Sequence, residues 1–239
     1  MQNITNSTEN LFAKAPFRRR EQIIEVLVFI FLIAPSMAFS FFAVKQGSVG
    51  FPLVAIATIL RDLALVALVL FFIWRNSEPV LRIGWTGKNA LGELFWGIIL
   101  FVPMFYAAGV LERILISVGF TTPSTPLPSL EATGGIYESI LGFFLVVIVA
   151  FSEETIFRGY LLLRFTGIFS STTFAVILSA FIFSLGHGYE GTAGVVTVGF
   201  MGLVFAIVYL WRGSLIAPMV MHFLQDFIGI VLLPLVGGK

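Results

Sequence analysis

The chain has 239 residues, of which 58% are hydrophobic and only 11% charged, and its mean hydropathy is +1.01. That leaves too little polar surface for a soluble domain and too little charge for a disordered one. Fourteen Lys and Arg against thirteen Asp and Glu give a net charge of +1, so no bulk field would draw nucleic acid, and none is expected as a partner. Cysteine is absent, which removes disulfides, thiolate metal sites and Cys nucleophiles. What remains is an all-α, polytopic helical protein whose partner is the lipid bilayer.

A helix needs about 20 mostly apolar residues to cross the hydrocarbon core. Seven runs qualify, over residues 23–44, 49–74, 91–116, 137–164, 171–187, 193–211 and 214–235. They are continuous rather than alternating with period two, which excludes a β-barrel. The first is too long for a signal peptide and lacks a small-residue cleavage site. A polar segment, residues 1–22, precedes the spans, and residues 23–136 hold spans one to three and an extended loop. In that loop, 120–135, Pro123, Pro126 and Pro128 favour an extended connector.

Lys14, Arg18, Arg19, Arg20, Arg75, Arg82, Lys88, Arg164 and Arg212 fall on one side of such a bundle, and Lys45, Lys239 and Arg113, near the far end of span three, on the other. The positive-inside rule then predicts a cytoplasmic N-terminus and an external 120–135 loop, and a bacterial plasma membrane is the expected location. No internal repeat of the kind found in transporters is evident.

The second half of the chain concentrates ionisable residues inside apolar runs. Span four carries Glu153, Glu154 and Arg158. Span five ends on Phe183 and His187. Span seven carries His222 and Asp226, and both histidines of the chain lie in these groups. An ionisable group inside a membrane is costly, and by default it marks function. Counting about 1.5 Å per residue from the turn near 166–170 puts Glu153 and Glu154 roughly 15–17 Å up. The same count puts His222 at about 12 Å, Asp226 at about 18 Å and His187 at roughly 21–24 Å. Spans four, five and seven can therefore build one polar pocket. Glu154 and Arg158 share a helix face at i,i+4, as do His222 and Asp226. Glu153 points away from Arg158 and is the carboxylate expected to face the pocket. Arg61 and Asp62 in span two are expected to hold helices together, with Glu93 and Glu112 as candidate partners. Gly199 and Gly202 are expected to allow close helix packing.

Glu-Glu-x-x-x-Arg, Phe-x-x-x-His and His-x-x-x-Asp, in this order on successive membrane helices, resemble the CAAX prenyl protease type II (CPBP, or Abi) family of intramembrane proteases. The likeness runs from about Phe143 to Phe227 and includes the strings EETIFRGYLL and GSLIAPMVMH. It implies that residues 137–239 form the catalytic core, and that the protein hydrolyses a peptide bond of a membrane-associated peptide or protein. It further implies that Glu153 activates the attacking water, that Glu154 and Arg158 orient the site, and that His187 assists the water. His222 and Asp226 would stabilise the oxyanion. The family often has Asn at the last position. An ionised Asp226 would repel an oxyanion, so it must be protonated, orient His222 or bind metal.

Glu153, His187, His222 and Asp226 are numerous enough for a zinc site with an open position. The spacing is not His-Glu-x-x-His, and we expect well below one zinc per chain. Two rivals remain: a non-catalytic scaffold or immunity protein that keeps the pocket, and a proton-coupled transporter. The sequence leaves the substrate, and whether it is prenylated, open.

Overall fold

The computed structural model describes residues 19–41, 50–122, 132 and 135–237. The polar N-terminal segment up to residue 18, Lys45, Lys239 and most of the 120–135 loop lie outside the described residues. Seven helices follow one another: α1 (Arg19–Ser40), α2 (Phe51–Arg75), α3 (Ala90–Ser117), α4 (Ile136–Phe169), α5 (Thr172–Leu185), α6 (Gly191–Arg212) and α7 (Ile216–Val236). No strand occurs among the described residues. Six of the seven are long and apolar enough to cross a membrane, and α5 is the shorter apolar one. Their outward faces carry large apolar side chains such as Phe31, Leu60, Phe95, Tyr106 and Phe181, all exposed. Such a surface is stable in lipid rather than in water. The protein is an integral membrane helical bundle.

Two spans differ from their predicted limits. Span five, predicted over 171–187, stops at Leu185, because Gly186 and Gly188 break the helix. His187 stands in the turn that follows, not on the helix. Span four, predicted to end at Arg164, continues to Phe169 and stops at Ser170, which adopts a left-handed conformation. Arg164 does not end the helix because its charge is neutralised inside the protein. It bonds Glu25 of α1 at 3.1 Å and Glu78 at 2.5 Å. Glu25 also takes Arg75 and Asn76 (2.7 Å each) and the Tyr160 hydroxyl (3.0 Å). Glu78 takes Arg82 at 2.6 Å. This network pins α1, α2 and α4 at one end of the bundle, called basal here.

Helix α4 is the central post. Its first half packs on α2, its second half on α1 and α5, and α7 lies alongside. Between Glu154 and Leu161 it widens into a π-helical stretch in which all eight residues are buried. The Ser179 hydroxyl of α5 donates to the Phe157 carbonyl there (2.7 Å), and Trp85 donates to the Thr155 hydroxyl (3.0 Å). Gly159 lets the short turn Val80–Ile83 touch the post: a Cβ at this position would lie 2.6 Å from the Ile83 carbonyl oxygen.

The two ends of the helices do not share one level, which refines the depth count. Helix α7 begins where Leu215 N–H meets the Gly84 carbonyl (3.2 Å), beside Gly159. Glu153 lies six residues above Gly159 and His222 six residues above Ile216, about 9 Å in each case. The tail of α4 projects below that level, and α5 climbs from its tip, which lifts His187 to the height of Glu153.

Candidate active site

Glu154 is fully buried. Its Oε1 accepts the Arg158 guanidinium at 2.8 Å and His222 Nδ1–H at 2.9 Å. Arg158, itself buried, lies 4.2 Å over the Phe183 ring and 5.2 Å from that of Phe205. Phe205 in turn stacks on His222 at 5.5 Å. Gly202 makes this layer possible, since a Cβ there would sit 3.1 Å from both Arg158 and Phe183. A carboxylate and a guanidinium are thus locked together in low dielectric, which is tolerable because each finds its counter-charge.

His222 has its other nitrogen turned towards two more carboxylates. Nε2 lies 3.4 Å from Asp226 Oδ2 and 3.8 Å from Glu153 Oε2. One imidazole therefore ties together acids from α4 and from its own helix. His187 Nδ1 lies 3.2 Å from the Phe183 carbonyl oxygen. A carbonyl can only accept, so Nδ1 carries a proton, and in the neutral imidazole Nε2 is the acceptor.

Glu153, His187 and Asp226 line one cavity of about 440 Å³. Glu154, Arg158 and His222 stand behind its wall rather than on it. Glu153 Oε2 is buried and has no hydrogen-bond partner in the structure. The structure thus gathers all six predicted positions, three of them on the cavity surface and three supporting.

Arg61 and Asp62 are a correction. They were expected to reach Glu93 or Glu112, but they pair with each other: Nε and Nη2 both lie 2.9 Å from Asp62 Oδ1. They also line the same cavity as Glu153. Glu93 instead holds Arg212 at 2.7 Å. The signal was present in the sequence. Arg61 is 14 residues from the basal end of α2, about 21 Å, close to the depths counted for Asp226 and His187.

Among the described residues no three His, Asp or Glu side chains are disposed to hold one ion.

Comparison with known proteins gives one match. The model of the family described as type II CAAX prenyl endopeptidase Rce1-like covers residues 136–228. No curated protein and no solved structure matches the chain. The pocket-forming parts of α4, α5 and α7, with all six predicted positions, fall inside residues 136–228, the segment that is similar to the type II CAAX prenyl endopeptidase Rce1-like family.

Proposed function

We propose that this protein hydrolyses a peptide bond of a membrane-associated peptide or protein, using water activated by Glu153. The observation that carries this is the position of Glu153. It is a carboxylate on the wall of a cavity large enough for a few residues of peptide, and its buried Oε2, 3.8 Å from His222 Nε2, accepts no hydrogen bond. Its neighbours supply the rest of the chemistry. Glu153 takes a proton from a water as the water adds to the peptide carbonyl carbon, and returns it to the amine that leaves as the C–N bond breaks, while His187 Nε2 is a second acceptor for that water. Glu154 and Arg158 fix His222, and His222 orients Asp226 and Glu153. Asp226 orients His222 in turn, and His222 stabilises the tetrahedral intermediate. Among the described residues Ser36 and Thr58 line the cavity, but the Ser36 hydroxyl donates to the Ile33 carbonyl and neither bonds a carboxylate or a histidine, which favours attack by water over an acyl-enzyme route. The catalysis is of the glutamate type, and elemental analysis of protein purified without chelators should give well below one zinc per chain. Stoichiometric zinc, lost with activity in His222→Ala, would make this a metalloprotease.

The cavity carries nothing that demands a prenyl group. The basal end, with Arg75, Arg82, Arg164 and Arg212, is assigned to the cytoplasm. The chain has no cysteine, so single cysteines report topology cleanly. One at Val118 should react with an impermeant reagent in intact cells and one at Lys88 only after lysis. The reverse pattern would invert the orientation.

The activity itself is tested by comparing new peptide termini in membranes from cells expressing the wild type or Glu153→Gln. Termini present only with the wild type support hydrolysis. Identical termini, with both proteins folded and abundant, would favour the non-catalytic scaffold.

A further inference from the structure

Arg61 and Asp62 lie outside the segment matched by the family and have no part in the chemistry above, yet they form one wall of its cavity. Their burial is opposite. The Asp62 side chain is 2% exposed and that of Arg61 47%. The aspartate is thus an internal anchor, and the guanidinium is the part on offer. Anchoring consumes Nε and Nη2, which both face Asp62 Oδ1. Nη1 has no acceptor among the described residues. A half-exposed guanidinium at mid-depth of an apolar helix is tolerated only where polar partners are at hand.

Helices α1 and α2 both contribute to the cavity wall. They are joined at the basal end by Glu25 and Arg75 (2.7 Å), and otherwise scarcely touch among the described residues. Ile33, Ser36 and Met37 of α1 face Arg61 and Asp62 of α2 across the cavity.

The charge of the walls selects what Arg61 can bind. Glu153, Glu190 and Asp226 line the same cavity, while Asp62 already balances Arg61. An anionic ligand would face a wall of carboxylates. A neutral acceptor would not, and a peptide main chain offers one carbonyl per residue. We infer that Arg61, held by Asp62, is a substrate-positioning residue that donates Nη1–H to a main-chain carbonyl of a peptide lying between α1 and α2. This rests on the proposal that the substrate is a peptide, but its test needs no cleavage.

The probes are three versions of one apolar dipeptide: N-acetyl-leucyl-leucinamide (neutral), N-acetyl-leucyl-leucine (anionic) and leucyl-leucinamide (cationic). Binding to the purified full-length protein in lipid nanodiscs is measured by saturation-transfer NMR. The neutral form should bind the wild type at least as well as the anionic one. Arg61→Met should weaken its binding about tenfold, as expected for one lost charge-assisted hydrogen bond. Arg61→Lys keeps a donor and should recover part of the affinity, which separates recognition from folding if Arg61→Met is unstable. Equal affinity in wild type and both variants would overturn the inference, as would no binding to the wild type. Stronger binding of the anionic form, lost in Arg61→Met, would also overturn it by making Arg61 a carboxylate receptor. Binding through Arg61 by a protein that produces no new termini would sink the protease proposal and leave this one standing.

Discussion

The bundle buries two ionic clusters, and they differ in how completely they are satisfied. In the basal cluster both carboxylate oxygens of Glu25 and both of Glu78 have partners, drawn from Arg75, Asn76, Tyr160, Arg82 and Arg164. At mid-depth, second oxygens of Asp62, Glu153 and Glu154 and one nitrogen of Arg158 have none, and a cavity opens beside them. The first cluster has spent its hydrogen-bonding capacity on the fold. The second has kept some in reserve, with Asp62 and Glu153 on the wall of a space that a peptide can enter and Glu154 and Arg158 behind it. Buried charge in a membrane protein therefore does not by itself identify a site; unsatisfied buried charge beside a cavity is the better sign.

Substitutions on the two sides of this contrast should fail differently. The largest effect is expected from Glu153→Gln, which keeps size and shape but removes the base. Cleavage should fall by about 10²- to 10⁴-fold while thermal unfolding in detergent is unchanged. A matching loss of stability would mean that Glu153 belongs with the structural cluster. Arg164→Leu is the converse. It strands Glu25 and Glu78 without their shared cation, and should destabilise the protein by about 3–5 kcal/mol. The activity per folded molecule should stay at the wild-type level. If activity falls with no change in unfolding, the basal cluster is coupled to catalysis and the contrast collapses.

Smaller changes test the wall between the two clusters. Gly159→Ala places a methyl group against the Ile83 carbonyl, and overpacking of this kind costs about 1–3 kcal/mol. Trp85→Phe removes the hydrogen bond to Thr155 in the π-helical stretch, a loss of about 1 kcal/mol. Unfolding in denaturant would measure both, and indifference at either position would show that the stretch is held by packing on its other sides alone.

Much of this arrangement was legible in the sequence, for identifiable reasons. The spans follow from continuous apolar runs, and the site follows from six ionisable residues inside three of them, at heights that a simple rise per residue can compare. The ends of α4 and α5 were less legible. Arg164 looks like a span boundary until Glu25 and Glu78, far away in the chain, are seen to neutralise it. His187 looks helical until the glycines on either side turn the chain. Arg61 and Asp62 were misread because adjacent residues on a helix point about 100° apart, which hides the fact that a long guanidinium can fold back onto its neighbour. The contact between His222 and Glu154 depends on where α7 starts, and that is set by the tertiary meeting of Leu215 with Gly84.

The central claim is that Glu153 turns a water in the mid-membrane cavity into the nucleophile. It is tested most directly with purified wild type and Glu153→Gln in nanodiscs, given a peptide identified from the new termini, in water enriched in oxygen-18. The account predicts oxygen-18 in the new C-terminal carboxylate from the first turnover of the wild type, and product formation slowed at least about 10²-fold in the folded variant. A first-turnover product without the heavy isotope would make an enzyme carboxylate the nucleophile. Undiminished product from Glu153→Gln would contradict the assignment of this cluster as the catalytic one.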